Sequence, residues 1–325
     1  MVRFASIQGG SMERCFLYPG QGAQFIGMGR DLYDTSREAK KLFETATALA
    51  GFDVPGLVFS GTEDELKVTN RSQISITVVN LAARRVLMTR GIESTATAGF
   101  SLGAYAALVD AGILTEEAAL ALVVQRGNIM EEVSRSLDSD DGSPGMAAVL
   151  GIGEAAIVEA LKNAGIDGVY PANLNSPVQT VLSGTADGLL AAESVLKEAG
   201  ARRVVQLKVS GPFHSPLMQE AKDRFEKELA AVEFSDPIKT IYSNVTGSRI
   251  QSGTEARTLC ADQLVKPVRW VDEEDMIAAA GYDELLEVGP GEVLGGLWKS
   301  YCKSHEEIEV TCSPAGTAEQ IALIQ

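Results

Sequence analysis

The chain has 325 residues, 45% of them apolar and 22% charged, the profile of a globular protein large enough for one domain with an insertion, or for two. Its 44 acidic against 28 basic residues give a net charge of −16, which argues against nucleic acid as a partner and against adsorption to an anionic membrane. No apolar run of about 18 residues is available to span a bilayer. The four cysteines (Cys15, Cys260, Cys302, Cys312) and two histidines lack metal-ligand spacing, so no metal site is expected, and the thiols read as free in a reducing, cytoplasmic setting.

Residues 1–11 carry one arginine, a Gly-Gly-Ser and no apolar core, which predicts a disordered extension rather than a signal peptide. Residues 15–18 read as a short buried strand ending at Pro19-Gly20-Gln21-Gly22. Helices are predicted over 37–50, 62–66 and 74–89, the last with Ile74, Val78, Leu81 and Val86 near helical spacing. A strand over 95–100 then runs into Gly99-Phe100-Ser101-Leu102-Gly103 and an Ala-rich helix over 104–111. A Gly-x-Ser-x-Gly at a strand-to-helix turn is the pattern of a nucleophile elbow, which lifts a serine hydroxyl beside a helix N-terminus. Alone, the pentapeptide reads equally as a tight turn. A further helix over 115–133 has Thr115 as its N-cap and Glu116 and Glu117 in its first turn.

The stretch 138–145, Asp-Ser-Asp-Asp-Gly-Ser-Pro-Gly, is the clearest linker. After it come a strand (146–150), a helix (154–164), two strands (169–174 and 179–183), a helix (186–199) and a strand (203–209). This βαββαβ order is the ferredoxin-like signature. The expected fold is therefore α/β: a large α/β-hydrolase-like domain with a parallel sheet, over 12–144 and 210–325, carrying an inserted small ferredoxin-like α+β domain over 145–209. Downstream strands are predicted at 241–243 and 284–288, the second followed by Gly289-Pro290-Gly291 and a helix over 294–299.

A serine nucleophile needs a base, and there are two candidates. His214 follows a predicted strand in Gly211-Pro212-Phe213-His214-Ser215-Pro216, whereas His305 sits in the charged stretch Lys303-Ser304-His305-Glu306-Glu307, which reads as solvated surface. A lone histidine is more often structural. An elbow with a single well-placed imidazole nevertheless favours the Ser101–His214 pair. Arg126 is flanked by Leu122, Val123, Val124, Ile129 and Met130; on a buried helix its guanidinium would need an anion, and on an exposed one it would be an ordinary surface charge.

These residues carry a family resemblance. From about residue 16 to 297 the chain resembles the malonyl-CoA:acyl carrier protein transacylases and the acyltransferase domains of fatty acid and polyketide synthases. The matching motifs are Tyr18-Pro19-Gly20-Gln21-Gly22-Ala23-Gln24, the Ser101 elbow, Gln125-Arg126-Gly127 with Met130, and Asn173-Leu174-Asn175-Ser176-Pro177. They continue with Phe213-His214-Ser215-Pro216, Asn244-Val245-Thr246-Gly247, Gln263 with Pro267-Val268-Arg269-Trp270, and Glu287-Val288-Gly289-Pro290-Gly291. The resemblance implies an acyltransferase in which Ser101 attacks the thioester of malonyl-CoA and His214 takes its proton. In that reading the main-chain carbonyl of Gln263 orients the imidazole, and the N–H groups of Gln21 and Leu102 form the oxyanion hole. Arg126 would pair with the free carboxylate of malonate, with Gln73, Phe213, Phe100 and Asn175 completing the substrate pocket. Gln73 reads equally as a turn or capping residue, and Phe213 as a core residue. The malonyl group would then pass to the phosphopantetheine thiol of acyl carrier protein, for fatty acid or polyketide synthesis.

No cofactor is implied, and a free-standing cytoplasmic monomer is expected. Arg202, Arg203 and Lys208 are candidates for a basic docking patch. The same fold could instead serve as a thioester hydrolase releasing acyl groups to water. Two departures bear on fine selectivity: many members have His where this chain has Phe100, and Glu where it has Ala104.

Overall fold

A computed structural model describes residues 12–139 and 142–325. The predicted 1–11 extension lies outside the described residues, as do residues 140 and 141 of the predicted linker. Among the described residues, no single helix is long and apolar enough to cross a membrane.

Among the described residues the strands are β1 Arg14–Tyr18, β2 Ala96–Gly99, β3 Gly145–Leu150, β4 Val169–Ser176, β5 Gln179–Gly184, β6 Arg203–Gln206, β7 Thr240–Ile241, β8 Glu284–Glu287 and β9 Cys312–Pro314. Five of them form one sheet in the order β7-β2-β1-β8-β9, parallel throughout. The central strand β1 is buried along its whole length, which is why its Cys15–Tyr18 stretch reads as an unbroken apolar run and not as an alternating one. Its register with β2 sets Tyr18 beside Gly99. The turns after both strands therefore emerge side by side at the C-terminal edge of the sheet, where open parallel sheets place their ligands.

The other four strands form an antiparallel sheet in the order β4-β5-β3-β6. Alternation along these strands divides its two faces. Ala147, Val149, Val169 and Leu182 pack on Ile157 and Leu161 of the Glu154–Asn163 helix and on Leu189, Ala192 and Leu196 of the Ala186–Glu198 helix, giving this unit its own core. Met146, Ala172 and Val181, on the opposite face, join the core of the larger unit. The Ala172–Leu174 backbone is also tied to Val268, through Val268 N–H to Ala172 O at 2.8 Å and Leu174 N–H to Val268 O at 2.8 Å.

Two predicted elements differ in extent. The helix expected over 74–89 begins at Thr69, because its first turns bury polar side chains, Ser72, Gln73 and Ser75, which break the apolar period. The strand expected over 203–209 ends at Gln206; Leu207 keeps one bond to the sheet, its N–H donating to Met146 O at 2.9 Å, and with Lys208 and Val209 it lines a cleft. Helices over Gln219–Ala230, Gly253–Asp262 and Trp270–Ala280 had no counterpart among the predicted elements.

Candidate active site

β2 ends at Gly99, and a 3-10 turn over Ser101–Gly103 leads into the Ala104–Asp110 helix. Ser101 and His214 are the only non-glycine residues with positive φ among those described, at 51° and 57°. Left-handed backbone costs an ordinary side chain about 1–2 kcal/mol, so both positions store strain that the surrounding contacts must hold. The elbow glycines are needed for closeness of approach: a Cβ on Gly103 would run into the Tyr18 carbonyl, and one on Gly99 into the backbone of Gly103.

The Ser101 hydroxyl lies 2.7 Å from His214 Nε2, and His214 Nδ1 lies 2.6 Å from the Gln263 carbonyl oxygen. A carbonyl can only accept, so Nδ1 carries the proton. That leaves Nε2 as the acceptor facing the serine, as a general base requires. His214 is 5% exposed; burial first, then the Arg126 charge, push its pKa down to about 4, so the imidazole rests neutral. The other histidine, His305, is half-buried and stacked on Tyr301 with ring centroids 4.1 Å apart, and it takes no part in this arrangement.

The amide N–H of Ser101 donates to Asn244 Oδ1 at 2.6 Å, which removes it as an oxyanion donor. The N–H groups of Gln21 and Leu102 have no acceptor among the described residues. The Gly20 backbone packs directly on the elbow, where a Cβ would meet the Phe100 carbonyl, so the turn carrying Gln21 abuts the one carrying Leu102. Two free donors beside the serine are the arrangement that a tetrahedral oxyanion calls for.

Arg126, on the Glu116–Ser136 helix, is 1% exposed. It donates to Gln73 Oε1 at 2.8 Å and to Gln263 Oε1 at 3.3 Å, and its guanidinium lies 5.7 Å from the centroid of the Tyr105 ring. Gln73 is thus neither a cap nor a turn residue; it sits inside the Thr69–Thr89 helix, fully buried. Every one of these partners is neutral. Among the described residues no carboxylate lies within ion-pair distance of Arg126, and its Nε has no partner. Burial pushes its pKa down, yet a guanidinium stays charged in proteins. A buried, oriented cation without a counter-ion is costly unless an anion arrives to meet it.

Ser101, His214 and Arg126 open into one cleft of about 360 Å³. Gln21, Phe100, Phe213 and Asn175 line it too, with Met146 and Val181 from the small sheet forming the facing wall. Asn175 is buried, with its Oδ1 unpartnered. Phe100 packs edge-on against Trp270 at 5.4 Å. Lys208 lies on the cleft wall, and Arg202 and Arg203 are exposed. Tyr105 and Asn244 were assigned no role by sequence reasoning. Asn244 had a signal, since it opens a matching motif, but nothing in the order of residues says that it reaches Ser101.

Residues 15–319 match the family model described as an acyl transferase domain. The chain is 37% identical over 298 residues to the malonyl CoA-acyl carrier protein transacylase of Bacillus subtilis, an alignment covering 91% of this chain and 92% of that protein. Its fold superposes on an acyl carrier protein S-malonyltransferase from Vibrio cholerae with a TM-score of 0.89 at 33% identity, covering 96% of this chain and 100% of that one. It likewise matches a malonyl-transacylase solved in complex with its type II polyketide synthase acyl-carrier protein, with a TM-score of 0.88, 33% identity and coverage of 95% and 98%.

Proposed function

The chain belongs to the acyl transferase family, and from that premise we propose that it moves a malonyl group from malonyl-CoA to the phosphopantetheine thiol of acyl carrier protein by way of an ester on Ser101. The observation that carries this reading is the neutral-partnered Arg126 guanidinium facing the same cleft as the Ser101–His214 pair.

The malonyl carboxylate would occupy the free face of Arg126, where planar guanidinium geometry allows two parallel hydrogen bonds. An acetyl group offers no anion and would leave the charge buried and unanswered, so discrimination should be strong. With the carboxylate held, the Ser101 Oγ–C bond to the thioester carbonyl forms as the hydroxyl proton moves to His214 Nε2. The oxyanion is met by the Gln21 and Leu102 N–H groups, each such donor being worth about 10²–10³ in rate. Collapse breaks the C–S bond, and CoA leaves as a thiol with the proton from His214. The carrier's thiol then gives its proton to His214 and attacks the ester; the second collapse returns the proton to Ser101 Oγ. Protein groups supply each proton acceptor and each charge in this scheme, so it calls for no resident cofactor.

The assignment serves fatty acid or polyketide synthesis. We further propose that the enzyme works as a monomer in the cytoplasm: one chain supplies every group in the scheme, and the four thiols are unpaired. The test is an intact mass of the protein after exposure to malonyl-CoA. One malonyl group should appear, absent from Ser101→Ala, and should discharge onto phosphopantetheinylated carrier protein faster than to water. No adduct, or discharge to water at the same rate with and without carrier, would overturn the reading.

A further inference from the structure

Behind the nucleophile, on the side away from the cleft, lies a buried polar chain that no step above uses. Asn244 stands at its centre with its amide fully engaged. Its Oδ1 accepts from Ser101 N–H at 2.6 Å and from Gln263 Nε2 at 3.0 Å; its Nδ2 donates to the Gly99 carbonyl at 2.7 Å and to Glu273 Oε1 at 2.6 Å. One side-chain amide therefore brackets the two peptides on either side of Phe100, the stretch that must turn into the positive-φ conformation at Ser101. Gln263 Nε2 adds a bond to the Ser101 carbonyl at 3.0 Å.

Glu273 is fully buried on the Trp270–Ala280 helix, and Asn244 Nδ2 is its only side-chain hydrogen-bond partner among the described residues, Oε2 having none. The residue that caps this helix grips Asn244 through the main chain as well, Arg269 N–H donating to Asn244 O at 2.8 Å. Trp270, one turn back, meets Phe100 edge-on. Residue 273 thus touches neither the cleft nor the imidazole. Its one polar contact orients the amide that holds the strained elbow.

We propose that Glu273, acting through Asn244, is a positioning residue for the Ser101 nucleophile: the Glu273–Asn244 hydrogen bond fixes the amide that keeps Ser101 aimed at His214 and keeps the Ser101 N–H out of the oxyanion hole. Burial pushes the Glu273 carboxyl well above the usual carboxylate range, so a neutral group of the same shape serves equally well. The inference rests on the acyl-transfer reading for its natural reaction but concerns the nucleophile itself, so the test carries two readouts.

The first readout is the single-turnover rate of Ser101 acylation by malonyl-CoA; the second is the rate of labelling by a small serine-directed phosphonate, which needs no acyl-CoA. Native protein that takes the phosphonate but no malonyl group would refute the substrate reading and leave this one standing. Glu273→Ala should slow both readouts on the order of tenfold, the worth of one hydrogen bond, while the malonyl-CoA concentration giving half-maximal acylation stays within about twofold; Glu273→Gln should restore both. A merely structural role would not separate rate from affinity in this way. Because Glu273→Ala opens a cavity and could impair folding, a second pair reverses the bond. Asn244→Asp loses both donors from residue 244 and lets the Asp–Glu pair bond only through a shared proton, whereas Asn244→Asp with Glu273→Gln supplies an N–H donor from residue 273 and should recover at least about tenfold of the lost rate. Native rates in Glu273→Ala, a Glu273→Gln as slow as Glu273→Ala, a parallel loss of affinity, or no recovery in the double variant would overturn the proposal.

Discussion

Replacing Arg126 with alanine probes the substrate reading most directly, and the structure sets the size of the effect. In the native protein the guanidinium is already held by Gln73 and Gln263, so the malonyl carboxylate would meet an oriented fork and not a mobile side chain. Two charge-assisted hydrogen bonds at about 1.5–3 kcal/mol each set the upper range, and breaking a buried pair by removing one partner costs about 3–5 kcal/mol. The expected loss in kcat/KM for malonyl-CoA is therefore about 10²–10⁴-fold. Acetyl-CoA, which never used the cation, should lose little. The removed charge also lowers the His214 pKa, so the acid limb of the variant's pH profile should move upward, a shift that a simple packing defect does not predict. Steady-state transfer of both acyl-CoA substrates to carrier protein gives the ratio. Arg126→Lys, which keeps a charge but presents it as a point and not as a fork, should fall between the two. A malonyl-to-acetyl preference within about tenfold of native in Arg126→Ala would refute the clamp, and an equal fall for both substrates would show that the arginine supports the site without reading the acyl group.

Neutral His214 is the working form, and its pKa stands at about 4, so kcat/KM should stay level from pH 8 down to about 5 and halve near 4; a midpoint near the ordinary histidine value would contradict the buried environment. The same depression has a sign for stability. The unfolded chain binds a proton there at about 6.5, so the contribution is fully present above that pH and is lost as pH falls through about 4, a swing of about 3 kcal/mol that His214→Ala should abolish in denaturation curves. Glu274 runs the other way. It is fully buried with both carboxyl oxygens unpartnered, and burial raises its pKa to about 9. Its cost is absent below about 4.5 and grows as pH rises toward 9, so Glu274→Gln should raise Tm by about 3 °C or more at pH 8 and leave it unchanged at pH 4.5; equal shifts at both pH values would point to packing instead. Phe213 is buried beside His214 on the cleft wall, and in the proposed binding mode its ring is what a branched acyl group would meet. Phe213→Ser should therefore raise methylmalonyl-CoA use relative to malonyl-CoA by about 10–200-fold, the worth of one methyl group, and an unchanged ratio would place the steric limit elsewhere.

What could be read from the residue order follows a physical division. Strands buried on both sides, such as β1 after Arg14, announce themselves as unbroken apolar runs, and the βαββαβ unit does so by its alternation; the elbow announces itself because close backbone approach demands glycine at 99 and 103. These are local constraints, written within a few residues of where they act. Arg126 was legible only as a question, since its apolar neighbours say that it is buried but not what faces it. The answer comes from Gln73, 53 positions earlier, and from Gln263, 137 positions later, each supplied by a different helix end or interior. Asn244 lies further still from recognition. It makes four hydrogen bonds across separations as long as 145 residues, and no periodicity or spacing rule reports a side chain whose partners are peptide groups of a distant turn. The strain at Ser101 was equally silent, because a serine in left-handed backbone is spelled like any other serine. The chemistry-bearing atoms thus appear in the sequence, whereas the groups that aim them appear only once the chain has folded. A single side chain belongs to both classes: Gln263 orients His214 through its backbone oxygen while its amide holds Arg126, Ser101 O and Asn244 together. Its carbonyl role would survive most substitutions, but the amide role would not, so damage at residue 263 should reach the cation and the nucleophile at once.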